Sequence, residues 1–390
     1  MTTALRCGRH WSGLTGGILV LGCLAGARAH AQTPPGTKPG WSFYVSTEGS
    51  FESNPGFQIP PNVVSDFWGS GGGGLAYSRA SPRSNISLTG DARALFYREL
   101  TDLNTRTFGG TVAGNYRPGP KTDLVFNGSL SSDYARRSLL LIEGGQVLGQ
   151  VQVLTTRLSA SVSRALSTRS TLAVTGRFEQ AKFDSQVLFD GQTLGGSVSL
   201  SRRVKPTASL FLTYSFDRTE SDALRRQIHT ASVGSRIAMG PRRDLNLNAG
   251  ASLFPADVGP RQVAPYGAAT LNLRYQYLTV AFGLSHEVRQ EYGLGRLRLS
   301  DVASVSLVRT FGARRTSLTT SVSYGLNRSP SASFEDFRYT AYSAAAGLKF
   351  PINRSLHTEG GYSYFRSSQV DLPIDSHTVF VSLAYRFEPR

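Results

Sequence analysis

From Trp41 onward, hydrophobic and polar residues alternate with a period of two, broken only at polar links. In the last such stretch, from His377 to Phe387, the residues Val379, Val381, Leu383, Tyr385 and Phe387 share one parity. Thr378, Ser382, Ala384 and Arg386 share the other. That spacing predicts a strand with one apolar and one polar face. Trp41, Phe43, Val45 and Phe51 stand against Ser42, Tyr44, Ser46 and Glu48 in the same way. The figure recurs with a spacing of about 20 residues, as in Ile86/Leu88/Ala92/Ala94/Phe96, Leu210/Leu212/Tyr214/Phe216, Val280/Phe282/Leu284 and Leu318/Val322/Tyr324/Leu326. Counting the repeats predicts about 18 strands. The least regular is Leu299 to Arg309, where Asp301 falls on the apolar parity.

The links between strands alternate in length. Short ones are expected at Ala80 to Ser84, Pro118 to Pro120, Ser167 to Arg169, Lys205-Pro206, Gly240 to Arg243, Gln276-Tyr277, Gly312 to Arg314 and Pro351 to Arg354. Longer polar links are expected at Asn54 to Asp66, Arg98 to Thr105, Arg136 to Gln150, Lys182 to Gln192, Thr219 to Gln227, Pro255 to Ala264, Gln290 to Arg298, Arg328 to Phe337 and Ser367 to Ser376. A soluble sandwich has no reason to alternate in this way. A membrane barrel with both termini on one side does. The fold class expected is therefore all-β, a transmembrane up-and-down antiparallel β-barrel of about 18 strands with periplasmic termini, over residues 41–390. Trp41, Tyr116, Tyr275, Tyr277, Phe350, Tyr385 and Phe387 fall at the short-turn ends on the apolar parity, where an interfacial belt belongs.

Composition agrees with a barrel that has a polar interior. The chain has 390 residues, of which 40% are hydrophobic, low for a core of that size. Arg6, Arg9 and His10 precede an apolar run from Leu14 to Ala27, and Ala29-His30-Ala31 has the form of a secretory cleavage site. Residues 1–31 read as a signal peptide and 32–40 as a short Pro-rich periplasmic linker. The rival reading, a lipoprotein box at Val20-Leu21-Gly22-Cys23, is poorer at Leu21 and lies upstream of the better site. Both cysteines, Cys7 and Cys23, leave with the signal, so neither disulfides nor thiolate metal sites are expected in the mature chain. No mature stretch approaches the roughly 20 apolar residues of a transmembrane helix.

Charge then points to the interior. Without the signal, 39 basic residues face 26 acidic ones, a net +13. The basic residues are scattered singly over many strands, not clustered with stacking aromatics, so nucleic acid is not an expected partner. The inward parity collects Glu48, Asp91, Arg93, Asp123, Arg157, Arg177, Glu179, Asp217, Arg236, Arg274, Glu287, Arg289, Lys349, Glu359 and Arg386. The pore-lining candidates among them are Arg93, Arg157, Arg177, Arg236, Arg274, Asp91, Glu179, Glu287 and Glu359. They read either as a charged, anion-favouring lining or as ladders of pairs that stiffen the wall, such as Asp91 with Arg93 or Arg177 with Glu179. Arg157 and Arg177 flank the Ser167 to Arg169 turn about equally, so they are expected side by side, with an anion or a carboxylate between them.

Enzymatic chemistry is not expected. His229, His286, His357 and His377 are the histidines available as general bases. His377 near Asp371 and Asp375 reads more simply as a solvated loop pair. Gly69 to Gly74 lacks the Lys-Ser/Thr of a phosphate loop and reads as strand backbone across which Tyr44 or Tyr77 packs. No cofactor and no metal site are expected.

The closing residues Leu383, Tyr385 and Phe387 resemble the C-terminal signal by which the bacterial barrel assembly machinery recognises outer-membrane proteins, although here Glu388-Pro389-Arg390 follow the final aromatic. With the signal peptide and the strand repeats, the chain resembles the outer-membrane β-barrel porins of Gram-negative bacteria known mostly from sequence. The resemblance implies residence in the outer membrane among lipid and lipopolysaccharide, and transport of small hydrophilic solutes. Two alternatives stay open: a barrel that exports polysaccharide with periplasmic partners, and a closed barrel whose loops bind a surface partner. The link Arg136 to Gln150 resembles, in ordinal position and in Glu143-Gly144-Gly145, the constricting loop of general diffusion porins; an extended hairpin with a turn at Glu143 to Gln146 is the preferred reading. Between Ala31 and Trp41 there is no room for a plug, so a plugged vitamin or siderophore transporter is not expected.

Overall fold

A computed structural model describes residues 40–56, 62–134, 151–185, 188–221, 225–255, 261–291, 296–312, 316–330, 338–369 and 372–387. Its strands are β1 (Gly40–Glu52), β2 (Asp66–Ala80), β3 (Ser84–Tyr97), β4 (Thr105–Gly119), β5 (Thr122–Tyr134), β6 (Gln152–Ala165), β7 (Ser170–Phe183), β8 (Gly191–Lys205) and β9 (Ala208–Ser221). They continue as β10 (Arg225–Ala238), β11 (Arg243–Phe254), β12 (Gln262–Arg274), β13 (Leu278–Glu291), β14 (Arg296–Phe311), β15 (Thr316–Arg328), β16 (Arg338–Pro351), β17 (Leu356–Gln369) and β18 (Leu372–Phe387).

Each strand pairs antiparallel with its neighbours in sequence, and β18 returns to β1, from Phe43 opposite Phe387 to Glu52 opposite Thr378. The result is a closed 18-stranded antiparallel barrel. Closure leaves no sheet edge at this seam and satisfies the backbone from strand to strand. Curvature separates the two faces. Polar side chains reach across an intervening strand on the concave side, as when Arg177 of β7 meets Asp217 of β9 or Gln152 of β6 meets Thr105 of β4. The opposite parity projects outward and is apolar. On β18, Val381 is 62% exposed outside while Thr378 is fully covered inside.

The short links sit at one rim, here the short-turn rim, and are closed by tight backbone bonds such as Met239 N–H to Arg243 O at 2.9 Å. At Pro351 to Arg354 the Asn353 side chain accepts from the N–H groups of both Ser355 and Leu356 at 2.8 Å, the local bonding that suits Asn to turns. At the opposite rim several links are shorter than the polarity pattern suggests. β17 and β18 end and resume at Gln369 and Leu372 within the expected link 367–376, and β9 and β10 at Ser221 and Arg225 within 219–227. Above the apolar band the side chains lose their alternation, but the ladder hydrogen bonds continue. The link 98–104 is pinned by Asp66, whose carboxylate accepts from the N–H groups of Glu99 and Leu100 at 3.0 and 2.8 Å.

The short-turn girdle stands on the outer face: Trp41, Tyr116, Tyr275, Tyr277, Tyr385 and Phe387 are all exposed there, and Trp41 packs on Tyr77 at 4.8 Å between ring centroids. A second aromatic belt lies toward the other rim. It includes Phe51 with Phe67 at 4.9 Å, Phe216 with His229 at 5.0 Å, and Tyr364 with His377 at 4.8 Å. Asp301 of the irregular strand does face outward with the apolar set, where His286 and Arg328 meet it.

Candidate functional site: the inner wall

The inner wall is built from hydroxyls and ion pairs. Hydroxyl pairs join neighbouring strands, among them Thr89 with Thr111 at 2.6 Å, Thr193 with Thr219 at 2.8 Å, Thr230 with Ser252 at 2.8 Å and Ser323 with Ser343 at 2.6 Å. Small hydroxyl residues are frequent because the alternate position of each strand must face a polar space without bulk.

The charged candidates are mostly coupled to one another. Arg157 stands opposite Glu179 and donates from Nε to it at 2.7 Å. Arg177 stands opposite Ser159 and crosses β8 to Asp217, with Nε 2.8 Å from Oδ1 and a second bond from Nη2 to Oδ2. The expectation that Arg157 and Arg177 lie directly side by side about a shared anion is therefore corrected. Unequal strand offsets across the turn place them on a diagonal, and each has its own carboxylate. The bonds of Arg177 seen here go to Asp217, because the concave wall brings the carboxylate two strands away within reach of a side chain on the same face.

The crossing has a backbone requirement. A Cβ on Gly195 would overlap Asp217 Oδ1 and lie 2.7 Å from Arg177 Nε, so only glycine leaves room for the bridge. Tyr44 uses Gly74 in the same way: a Cβ there would come within 2.6 Å of the tyrosine ring, as the glycine run Gly69 to Gly74 suggests.

Arg93 reaches Glu48 on β1, 3.8 Å away, with both side chains nearly covered. Among the described residues this is the carboxylate it meets, whereas pairing with Asp91 was expected; Asp91 instead lies against Gly109. Glu287 is bonded by Arg289 Nε at 2.8 Å and is buried. Arg274, near the short-turn rim, pairs with Asp244 at 3.2 Å, and Asn272 also donates to Asp244. Glu359 faces Lys349 in register, and Arg236 faces Asn246. Leu383, Tyr385 and Phe387 lie on the outer face of the strand that closes the barrel, while Glu388 to Arg390 and the whole link Arg136 to Gln150 lie outside the described residues.

Sequence reading missed the apolar patches on the inner wall near the long-loop rim. Trp68, Leu95, Tyr97 and Leu103 form one. Val153, Ala181, Phe183 and Leu188 form a second, and Ile228, Phe254, Ala264, Val288 and Leu297 a third. The signal was present: Leu95 and Tyr97 continue the parity of Asp91 and Arg93. His229 and His377 face outward and bond Tyr214 and Tyr362 hydroxyls at 2.8 and 2.7 Å. Among the described residues no three His, Cys, Asp or Glu side chains come together to hold a metal ion.

No family model matches the chain, and no curated protein matches it. Among solved structures it is similar to OccK2 (OpdF) of Pseudomonas aeruginosa in complex with glucuronate, at a TM-score of 0.47 and 12% identity, covering 90% of this chain and 99% of that one. It is also similar to OccAB4 of Acinetobacter baumannii, with a TM-score of 0.47, 10% identity and coverage of 90% and 100%. The siderophore receptor PirA of P. aeruginosa gives 0.44 and 9%, with 90% of this chain and 81% of that chain covered. Values this low carry neither substrate nor site residues across.

Proposed function

We propose that this barrel resides in the outer membrane, short turns toward the periplasm, and serves as a conduit for small hydrophilic solutes. The observation that carries the reading is the contrast between its faces. An apolar outer surface bounded by two aromatic belts suits lipid, and a concave wall of paired ions and hydroxyls suits water. Barrels of 16–18 strands leave an aqueous channel. Anions pass somewhat more readily than cations, because basic residues exceed acidic ones. The preference is modest, since Arg93, Arg157, Arg177 and Arg274 each face a carboxylate that cancels much of their field. Assembly depends on the barrel assembly machinery reading Leu383, Tyr385 and Phe387. Liposome swelling with neutral sugars of increasing size tests the conduit: size-limited swelling is expected, and impermeability to the smallest sugar would refute it.

A further inference from the structure

The wall of the barrel is not paired evenly. Along the seam between β12 and β13 the register runs from Arg274 opposite Thr279 up to Gly267 opposite His286, and ends there. Both strands continue toward the long-loop rim, β12 to Gln262 and β13 to Glu291, each still paired on its other side. The sequence carries a reason. Pro265 lies just above the last pair, and proline, which has no N–H to donate, is tolerated in strands that face an edge. Above Gly267, β12 is such an edge.

The surfaces on either side of this split are both apolar. Inside, Val288 and Leu297 from the β13–β14 pair pack with Ile228, Phe254 and Ala264 of β10, β11 and β12. Val288 shares the outward parity of Leu284 and His286, so its contact with inward residues requires the upper part of β13 to lean into the mouth. Outside, at the foot of the split, a groove of about 810 Å³ crosses the outer face, within the size range of small-ligand sites. It is open to the outside, and its lining includes Leu247, Ala249, Gly267, Ala269, Leu284 and Ala303.

The upper end of the groove is polar. His286 and Asp301 line it, with His286 Nδ1 bonded to Asp301 and Arg328 Nη2 3.7 Å from the same carboxylate. His286 Nε2 is buried and has no partner. Asp301 stands ten residues above the short-turn end of its strand at Phe311, roughly 25 Å up for a strand tilted about 40°. That height is the upper edge of an apolar band about 25 Å tall. Two basic side chains around one carboxylate, at the boundary between headgroup and chain depth, suit a single anionic head on an apolar tail.

We propose that the β12–β13 split is a lateral doorway for a long-chain carboxylic acid. The acyl chain slides from the inner patch at Phe254 and Ala264, past Val288 where the strands part above Gly267, into the outer groove, and its carboxylate is received by Arg328 beside the His286–Asp301 pair. The inference rests on reading the apolar face as the membrane face; it does not require that hydrophilic solutes cross the barrel. The test uses the full chain in phospholipid nanodiscs, probed with hexadecanoic acid carrying a diazirine in mid-chain and mapped by mass spectrometry after photolysis. Saturable labelling is expected on both sides of the seam, at Leu284 or Ala303 outside and at Phe254 or Ile228 inside, competed by palmitate but not by lysophosphatidylcholine. The joint change His286→Ala and Arg328→Ala should weaken competition by palmitate about tenfold, the worth of roughly one hydrogen bond to a charged group. Uncompeted labelling spread around all outer strands, labelling of the groove without the inner patch, or equal competition by the lysolipid would each overturn the proposal. Bilayer conductance on the same preparation separates the two readings: its absence with labelling intact removes the hydrophilic conduit and leaves the doorway standing.

Discussion

Arg177 reaches across an entire strand to clasp Asp217 with two hydrogen bonds, and the backbone it crosses is that of Gly195. The bridge ties β7 to β9 on the concave side, where curvature brings alternate strands within side-chain reach. Arg157 and Glu179 lie on the same face of β6 and β7, so two neighbouring bridges stiffen one sector of the wall. Each places a guanidinium in the polar space with its charge largely answered.

Gly195→Ala should therefore break the bridge even though alanine is harmless in most strands. The added Cβ would overlap the carboxylate, so the Asp217 and Arg177 side chains must swing apart and the bridge is lost while the backbone stays where it is. The Arg177 side chain is 39% exposed, so the loss is that of a screened ion pair, about 1 kcal/mol or less. Gly196→Ala is the control, because its Cβ would meet Thr175 O at an ordinary 3.5 Å. The temperature at which folded protein shifts its gel mobility should fall for the first variant and hold for the second. An equal fall in both would mean that the crossing imposes no special demand.

The same sector predicts how selectivity responds to charge. Changing Arg157 and Arg177 together to Glu sets two new carboxylates beside Glu179 and Asp217, converting two neutral pairs into a patch of like charge. The modest anion preference should turn to cation preference at low salt and fade as salt nears 0.1 M, where the Debye length is about 10 Å. Reversal potentials across a planar bilayer in a salt gradient measure this. Unchanged reversal potentials in the double variant would place the selective region elsewhere in the barrel.

The period of two made most of this legible before any coordinates. It fixed which residues of β18 and β1 face out, and it flagged Asp301 as the anomaly that proves to sit beside His286. The pairing of Arg177 was not legible. Parity says which face a side chain takes, but a bridge to Asp217 depends on curvature and on a glycine in the strand between, neither of which is local in sequence. The upper ends of the strands near Gln369 and Leu372 carry polar side chains, so hydrophobic alternation ends before hydrogen bonding does and the pattern there predicts a loop. The split beside Pro265 had its signal in that one residue, inside a stretch whose period otherwise reads as strand.

Topology gives a prediction that needs no assay of transport. Both cysteines, Cys7 and Cys23, lie within the expected signal peptide, so if residues 1–31 are cleaved, introduced single cysteines report cleanly. Cys in place of Val63 or Ser329, at the long-loop rim, should react with an impermeant maleimide on whole cells. Cys in place of Arg83 or Gln276, at the short-turn rim, should react only after the outer membrane is opened. The reverse pattern would invert the barrel and move His286 and Asp301 to the inner leaflet.

Closure gives the last prediction. β18 supplies the ladder that β1 lacks, with Phe387 opposite Phe43 and Tyr385 opposite Val45, and their side chains form a T-shaped contact at 4.4 Å on the outer face. Deleting residues 385–390 removes three paired positions of β1, exposes ladder groups to lipid, and strips two aromatics from the short-turn belt. Each backbone group left unsatisfied in hydrocarbon costs several kcal/mol, more than the stability of a typical domain once a few accumulate. The truncated protein should stay unfolded and be degraded, with no heat-modifiable band. Removing residues 388–390 alone leaves every described pair of β1 and β18 in place and should be tolerated. A third variant, Tyr385→Ala with Phe387→Ala, separates closure from recognition: it keeps the ladder and loses the aromatics. Slow but complete folding in purified lipid, with poor yield in cells, would assign the aromatics to the assembly machinery; failure in both would assign them to the stability of the barrel.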